Sequence, residues 1–130
     1  MKVKFTDVRY PDKLELRYIK DDEWELLREF RCFFNANYGM VTHPQVITVP
    51  AGFCNDLSSV PQIFQNIVPV VGPQNQPSVI HDWCYEHRWR TREESDDLFL
   101  AGLISCKVSF FRRNLMYSAV RIGGGHAWRT

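Results

Sequence analysis

The segment His81-Asp82-Trp83-Cys84-Tyr85 puts an imidazole, a carboxylate, a thiol and a phenol within five residues. On a helix His81 and Tyr85 share a face at i, i+4, while Asp82 is turned about 100° away. One wall of a pocket can therefore present an imidazole for proton transfer and a carboxylate for a cation. Asp96 is a second focus. On a helical wheel Phe99, Leu100, Leu103, Ile104 and Cys106 form an apolar arc with Asp96 near its centre, whereas Asp97 lies at the edge and reaches water. A carboxylate inside an apolar arc needs a partner. Three readings are open: an ion pair with Arg92 at i−4, a bond from His81 that fixes the tautomer of a general base, or a metal shared with Asp82.

Upstream, Pro50 to Pro61 is a loop of polar residues between apolar anchors. Asp56, Ser58 and Ser59 offer carboxylate and hydroxyl oxygens, and Gly52 lets the backbone approach a ligand. The same residues also suit a turn that closes on its own backbone. Oxygen donors favour calcium or magnesium, whereas His81 and Cys84 with Cys54 would favour zinc. The chain has no nucleophile elbow and no phosphate-binding glycine loop. Cys32, Cys54, Cys84 and Cys106 stand singly and read as reduced, small hydrophobes rather than a disulfide framework. His43, His87 and His126 have no comparable neighbours and read as surface or loop residues.

The elements that must position these groups change type midway. Val3 and Phe5, then Leu14, Leu16 and Tyr18, then Trp24 and Leu26, then Phe30, Cys32 and Phe34 follow a period of two. Turn chemistry at Tyr10-Pro11-Asp12 and Lys20-Asp21-Asp22 separates them. Asn35 through Pro44 reads as a loop, Gln45 to Val49 as a further strand, and Pro61 to Pro77 as an irregular segment. Ser78 can cap a helix from Val79 to about Arg88. Thr91 with Glu94 makes a capping box for a second helix to about Cys106, and Ser109 can cap a third from Phe110 to about Ile122. Gly123-Gly124-Gly125 stops it, since glycine accepts positive φ. The expected architecture is α+β: an N-terminal antiparallel β-meander followed by a C-terminal cluster of three helices, in one domain over residues 1–130.

Composition fits that reading. Of the 130 residues, 45% are hydrophobic and 14% aromatic, enough for a core. Sixteen Lys and Arg against fifteen Asp and Glu give a net charge of +1. That balance argues against nucleic acid as the main partner, although Arg88, Arg90, Arg92, Arg112 and Arg113 can form a local patch. No apolar run approaches the roughly 20 residues that span a bilayer, and Met1 to Phe5 lacks a signal-peptide core. The expectation is a soluble protein with no transmembrane segment, not exported by its own signal.

Val49-Pro50-Ala51-Gly52-Phe53, Asp56-Leu57, Ser59-Val60-Pro61, His81-Asp82, Tyr85, Arg92, Ser95-Asp96 with Phe99, and Met116-Tyr117 with Ala119-Val120-Arg121 and Gly123 together resemble the phage and prophage family known as domain of unknown function 1353. The resemblance covers about the last two-thirds of the chain and implies a compact domain of phage or prophage origin. It places Asp56, Ser59, His81, Asp82, Tyr85 and Asp96 at motif positions and carries no activity with it. Asn55 stands where the pattern has threonine, and Ser58 where it has alanine. Locally, His81-Asp82-x-Cys84-Tyr85 is similar to the helix of secreted phospholipases of the A2 class. That similarity implies His81 as base, Asp82 as calcium ligand, and Asp96 as orienter with Tyr85 as its hydrogen-bond partner. Pro77-Ser78-Val79-Ile80 replaces the cysteine doublet of those enzymes, and no glycine-rich calcium loop precedes it.

Three functions follow as expectations. The first is a metal-assisted hydrolase acting on a bacterial envelope component, a lipid ester or a peptidoglycan bond, in the host cytoplasm or the virion. The second is a non-catalytic virion, tail or assembly protein that binds other phage structural proteins. In it the polar cluster is a structural network, and aromatics among Trp24, Trp89, Phe110, Phe111 and Trp128 make the contact surface. A host-takeover factor that binds a bacterial protein is a third.

Overall fold

Alternation along Phe30–Tyr38 puts Phe30, Cys32, Phe34 and Ala36 on one buried face, and this nine-residue strand, β4, is the centre of the first sheet. The structure, a computed structural model, describes residues 2–21, 23–55 and 73–129. Its strands are β1 (Lys4–Arg9), β2 (Leu16–Lys20), β3 (Glu23–Leu26), β4, β5 (Val41–Val49) and β6 (Cys54–Asn55). They form two antiparallel three-stranded sheets, β1-β4-β5 and β2-β3-β6, within a compact unit of residues 1–56. The antiparallel strands expected in the first half are therefore present, divided between two sheets. Phe5 meets Phe34 edge-on at 5.5 Å, and Tyr10 stacks on Phe30 at 5.8 Å.

The segment Asn35 through Pro44 is not a loop. β4 continues to Tyr38, β5 begins at Val41, and Gly39 (φ +64) and Met40 make a two-residue hairpin turn. Asn and Pro suggest loops because they compete with or interrupt a ladder, and both objections are answered here. Asn37 donates its amide to the Lys4 carbonyl and Thr6 hydroxyl and accepts from Thr42, while Pro44 lies on an edge strand where a missing N–H is tolerated. After β5 the turn at Pro50 to Gly52 returns the chain, with the Gly52 amide donating to the Leu26 carbonyl at 2.7 Å. Gly52 sits at φ +94, and a Cβ there would meet nothing within 4 Å. Its backbone conformation, rather than a close neighbour, is what requires glycine.

Helices make up the described part of the second unit, residues 57–130: α1 (Asn75–Glu86), α2 (Arg92–Ser105), α3 (Phe110–Gly123) and the short α4 (Gly125–Arg129). Thr91 and Ser109 cap α2 and α3 as expected, accepting from the amides of Glu94 and Arg112. Ser78, by contrast, does not cap α1. The helix starts at Asn75, four residues before the expected Val79, because Pro77 sits in the first turn, where its missing N–H has no partner to lose. Phe99, Leu103, Val108, Met116 and Val120 form the apolar cluster that packs α2 against α3. None of the described helices is long and apolar enough to cross a membrane.

Gly124 ends α3 for a reason other than positive φ. Its φ is −79, ordinary for any residue. A Cβ at this position would lie 2.5 Å from both the Tyr85 hydroxyl and the Val120 carbonyl, and 3.1 Å from an Arg92 nitrogen. Glycine is needed because three other groups already occupy the space of a side chain.

Candidate active site

Three helices bring their polar groups to one carboxylate. α1 carries His81 and Tyr85 one turn apart on its buried face, α2 carries Asp96 two residues before the apolar run begins at Leu98, and α3 carries Arg121 in its last turn. His81 Nε2 lies 2.7 Å from Asp96 Oδ1, and the Tyr85 hydroxyl donates to the same oxygen at 2.6 Å. Arg121 donates to Oδ2 at 2.8 Å, and Arg92 stands 3.8 Å from that oxygen. Arg92 spends its guanidinium hydrogen bonds on the Val120 and Arg121 carbonyls at 3.1 Å each, tying the start of α2 to the end of α3. The ion pair with Arg92 and the bond from His81 are thus not alternatives, since Asp96 makes both.

Asp96 is 0% exposed and His81 4%. Burial alone would raise the Asp96 pKa, but the bonds from His81, Tyr85 and Arg121 outweigh it and hold the carboxyl below the usual range, so it is ionised. Burial lowers the His81 pKa more than Asp96 raises it, so the imidazole is neutral. Burial, reinforced by Asp96, also pushes the Tyr85 hydroxyl well above its ordinary value and keeps it a donor. The imidazole is clamped between rings, 4.3 Å from Tyr85 and 4.6 Å from Phe99 by centroid, and Tyr85 meets Trp128 edge-on at 5.2 Å. Beside this group, Asp97 accepts from the Tyr117 hydroxyl at 2.7 Å, and burial with Asp97 pushes that phenol up to about 12.

These charge states fix how stability responds to acid. An unfolded chain binds a proton at His81 near pH 6.5, where the native chain resists it, so stability falls as pH drops below about 6.5. The Asp96 contribution is present above about pH 3.8 and is lost as pH falls through its lower native pKa. Unfolding free energies from urea denaturation, measured from neutral pH downward, should decline by up to about 1.4 kcal/mol per pH unit on the first limb. His81→Gln should remove that limb, and an unchanged limb in the variant would contradict a neutral buried His81.

The structure brings His81, Tyr85 and Asp96 together, an arrangement that the sequence leaves open as one of three readings of Asp96. Asp82 follows His81 on α1 and is half-buried. Asp56, Ser58 and Ser59 lie outside the described residues. Gly52 belongs to the strand unit, where it makes the turn already described. Among the described residues, no group of three or more His, Cys, Asp and Glu side chains stands close enough to share an ion. Cys84 is buried, while Cys54 is exposed with its thiol toward the Gly52 carbonyl. His43, His87 and His126 are exposed, with His43 on β5 rather than in a loop.

Arg121, quoted above only within the C-terminal motif, is the member to which sequence reasoning assigns no role at the site. One signal points to it: Tyr117 and Arg121 are spaced i, i+4, so α3 offers two donors to the adjacent carboxylates Asp97 and Asp96. A family model described as a protein of unknown function, DUF1353, matches residues 24–120, a span that includes His81, Tyr85 and Asp96 and ends one residue before Arg121. No curated protein and no solved structure matches the chain.

Proposed function

The chain belongs to the DUF1353 family, a family described only as of unknown function, and we propose that His81 and Asp96 form the core of a hydrolase-like site acting on a bacterial envelope component, in a protein of phage or prophage origin. One observation carries this reading: Nε2 of His81 lies 2.7 Å from one oxygen of a carboxylate that also accepts from Tyr85 on that oxygen and from Arg121 on the other. An ionised carboxylate only accepts, so Nε2 bears the ring proton and the lone pair is on Nδ1. Nδ1 then takes the proton of a water molecule attacking an ester or amide carbonyl, and Asp96 stabilises the imidazolium that forms. Tyr85 and Arg121 are positioning residues: they hold the carboxylate that holds the ring. The local similarity to phospholipases of the A2 class implies the same roles for His81, Asp96 and Tyr85, and has no counterpart for Arg121. Asp82, an oxygen donor one residue from the base, would hold a divalent cation, calcium or magnesium, which supplies charge stabilisation to a developing oxyanion.

His81→Gln tests the reading, because glutamine keeps a side-chain N–H for Asp96 and removes the titratable nitrogen. Hydrolysis of bacterial phospholipid or peptidoglycan by the wild type should fall about 10²–10⁴-fold in this variant, with little change in melting temperature. Elemental mass spectrometry should find a divalent cation in the wild type and lose it in Asp82→Ala. A wild type that cleaves no lipid or wall fraction, together with a large loss of stability in His81→Gln, would sink the reading.

The near-complete burial of the pair favours a second reading, a non-catalytic virion or assembly protein in which the cluster joins helices and function lies on a surface. Protein present at fixed stoichiometry in purified virions, with His81→Gln particles fully infective, would decide for it.

A further inference from the structure

The turn from α2 into α3 combines apolar and basic groups that face water. Phe110 and Phe111 are 73% and 66% exposed, and Ile104 at the end of α2 is also exposed. Lys107 and Arg112 are exposed beside them, and the Arg113 guanidinium lies 5.3 Å above the Phe110 ring. From Leu98 to the last residue the sequence contains Lys107, Arg112, Arg113, Arg121 and Arg129 and no Asp or Glu. Of these, Arg121 is already matched by Asp96. In a chain that is nearly neutral overall, Lys107, Arg112 and Arg113 therefore gather positive charge around the exposed phenylalanines, with no acidic residue in the sequence after Asp97.

Exposed rings ringed by cations define what can cover them. A second copy docked symmetrically through this corner would bring Lys107 and Arg112 against their own counterparts, which like-charge repulsion disfavours. A single-stranded nucleic acid would need a stacking platform. Adjacent positions on a helix diverge by about 100°, so Phe110 and Phe111 do not make one, and Ile104 has no stacking face. A surface that is anionic outside and apolar just beneath answers both halves of the patch, with the rings entering the acyl boundary and the cations staying among the headgroups.

We propose that the α2–α3 corner is a docking surface for an anionic lipid membrane. It does not depend on whether the His81 site hydrolyses anything. The test is sedimentation of the full chain with vesicles of ether-linked phosphatidylcholine, with or without ether-linked phosphatidylglycerol, lipids that have no carboxylic ester to cleave. Binding should require phosphatidylglycerol and weaken with salt. Phe110→Ser with Phe111→Ser should weaken it about a hundredfold, and Lys107→Gln or Arg112→Gln about fivefold each. All four positions are exposed, so melting temperatures should hold. Equal binding to pure phosphatidylcholine, no binding to either vesicle, or wild-type binding by the phenylalanine variant would overturn the proposal. So would a dimer in sedimentation velocity, or binding of a single-stranded oligonucleotide, that the phenylalanine variant abolishes.

Discussion

Asp96→Ala should lose about 3–5 kcal/mol of folding stability, the range for removing one partner from a buried charged network. The carboxylate has no exposed surface, and its removal strands the N–H of His81, the hydroxyl of Tyr85 and the guanidinium of Arg121 together. Asp96→Asn keeps the shape but loses the charge, and its amide can turn only one acceptor toward three donors, so it should fall short of the wild type by a large part of the same amount. Tyr85→Phe deletes one donor of the three and should cost about 1 kcal/mol. Because the Arg121 penalty arises only from the missing carboxylate, Asp96→Ala with Arg121→Met should lose less than the two single variants summed. Urea denaturation measures these variants and Arg121→Met alone. A loss below about 1 kcal/mol for Asp96→Ala would show that the unpaired donors find water at little cost.

Phe99→Ala should have an effect of similar size, about 3–5 kcal/mol, through a different mechanism. Phe99 is buried in the cluster with Leu103, Val108, Met116 and Val120, and its ring also lies 4.6 Å from the imidazole of His81. Truncation leaves a cavity between α2 and α3 and opens one wall of the histidine. Since burial is the main cause of the lowered His81 pKa, that pKa should rise toward 6.5 in the variant, which NMR titration of the ring protons reads directly. Phe99→Leu should keep most of the packing and cost under about 1.5 kcal/mol. A stable Phe99→Ala with an unmoved histidine titration would mean that other groups seal the imidazole.

What could be read from the sequence follows how local each determinant is. Thr91 and Glu94 are three residues apart and satisfy one another, so α2 starts where its capping box predicts. Asp96 stands out because an apolar arc surrounds a charge, and its bond to His81 follows from two helices adjacent in sequence. Arg121 comes from a third helix, and its approach to Asp96 depends on how α3 packs on α2, which no wheel drawn on a single helix contains. The β4–β5 hairpin is obscured because Asn35, Asn37 and Pro44 have strong local preferences for loops, which the side-chain hydrogen bonds of Asn37 and the edge position of Pro44 override. Gly124 was legible as a helix stop but not for its cause, since the groups that exclude a side chain there come from α1, α2 and the preceding turn of α3.

A single carboxylate shared by three helices also bears on how this part of the chain opens. Detaching α3 alone would pull Arg121 from Asp96 and free the Val120 and Arg121 carbonyls from Arg92, and detaching α1 alone would strip away His81 and Tyr85. Either partial opening leaves an ionised group in a half-dismantled interior, at a free energy close to that of losing all the helices at once. Slowly exchanging amide protons in the middle of α1, α2 and α3 should therefore share one protection free energy, as a single cooperative unit rather than a ladder of successively weaker helices.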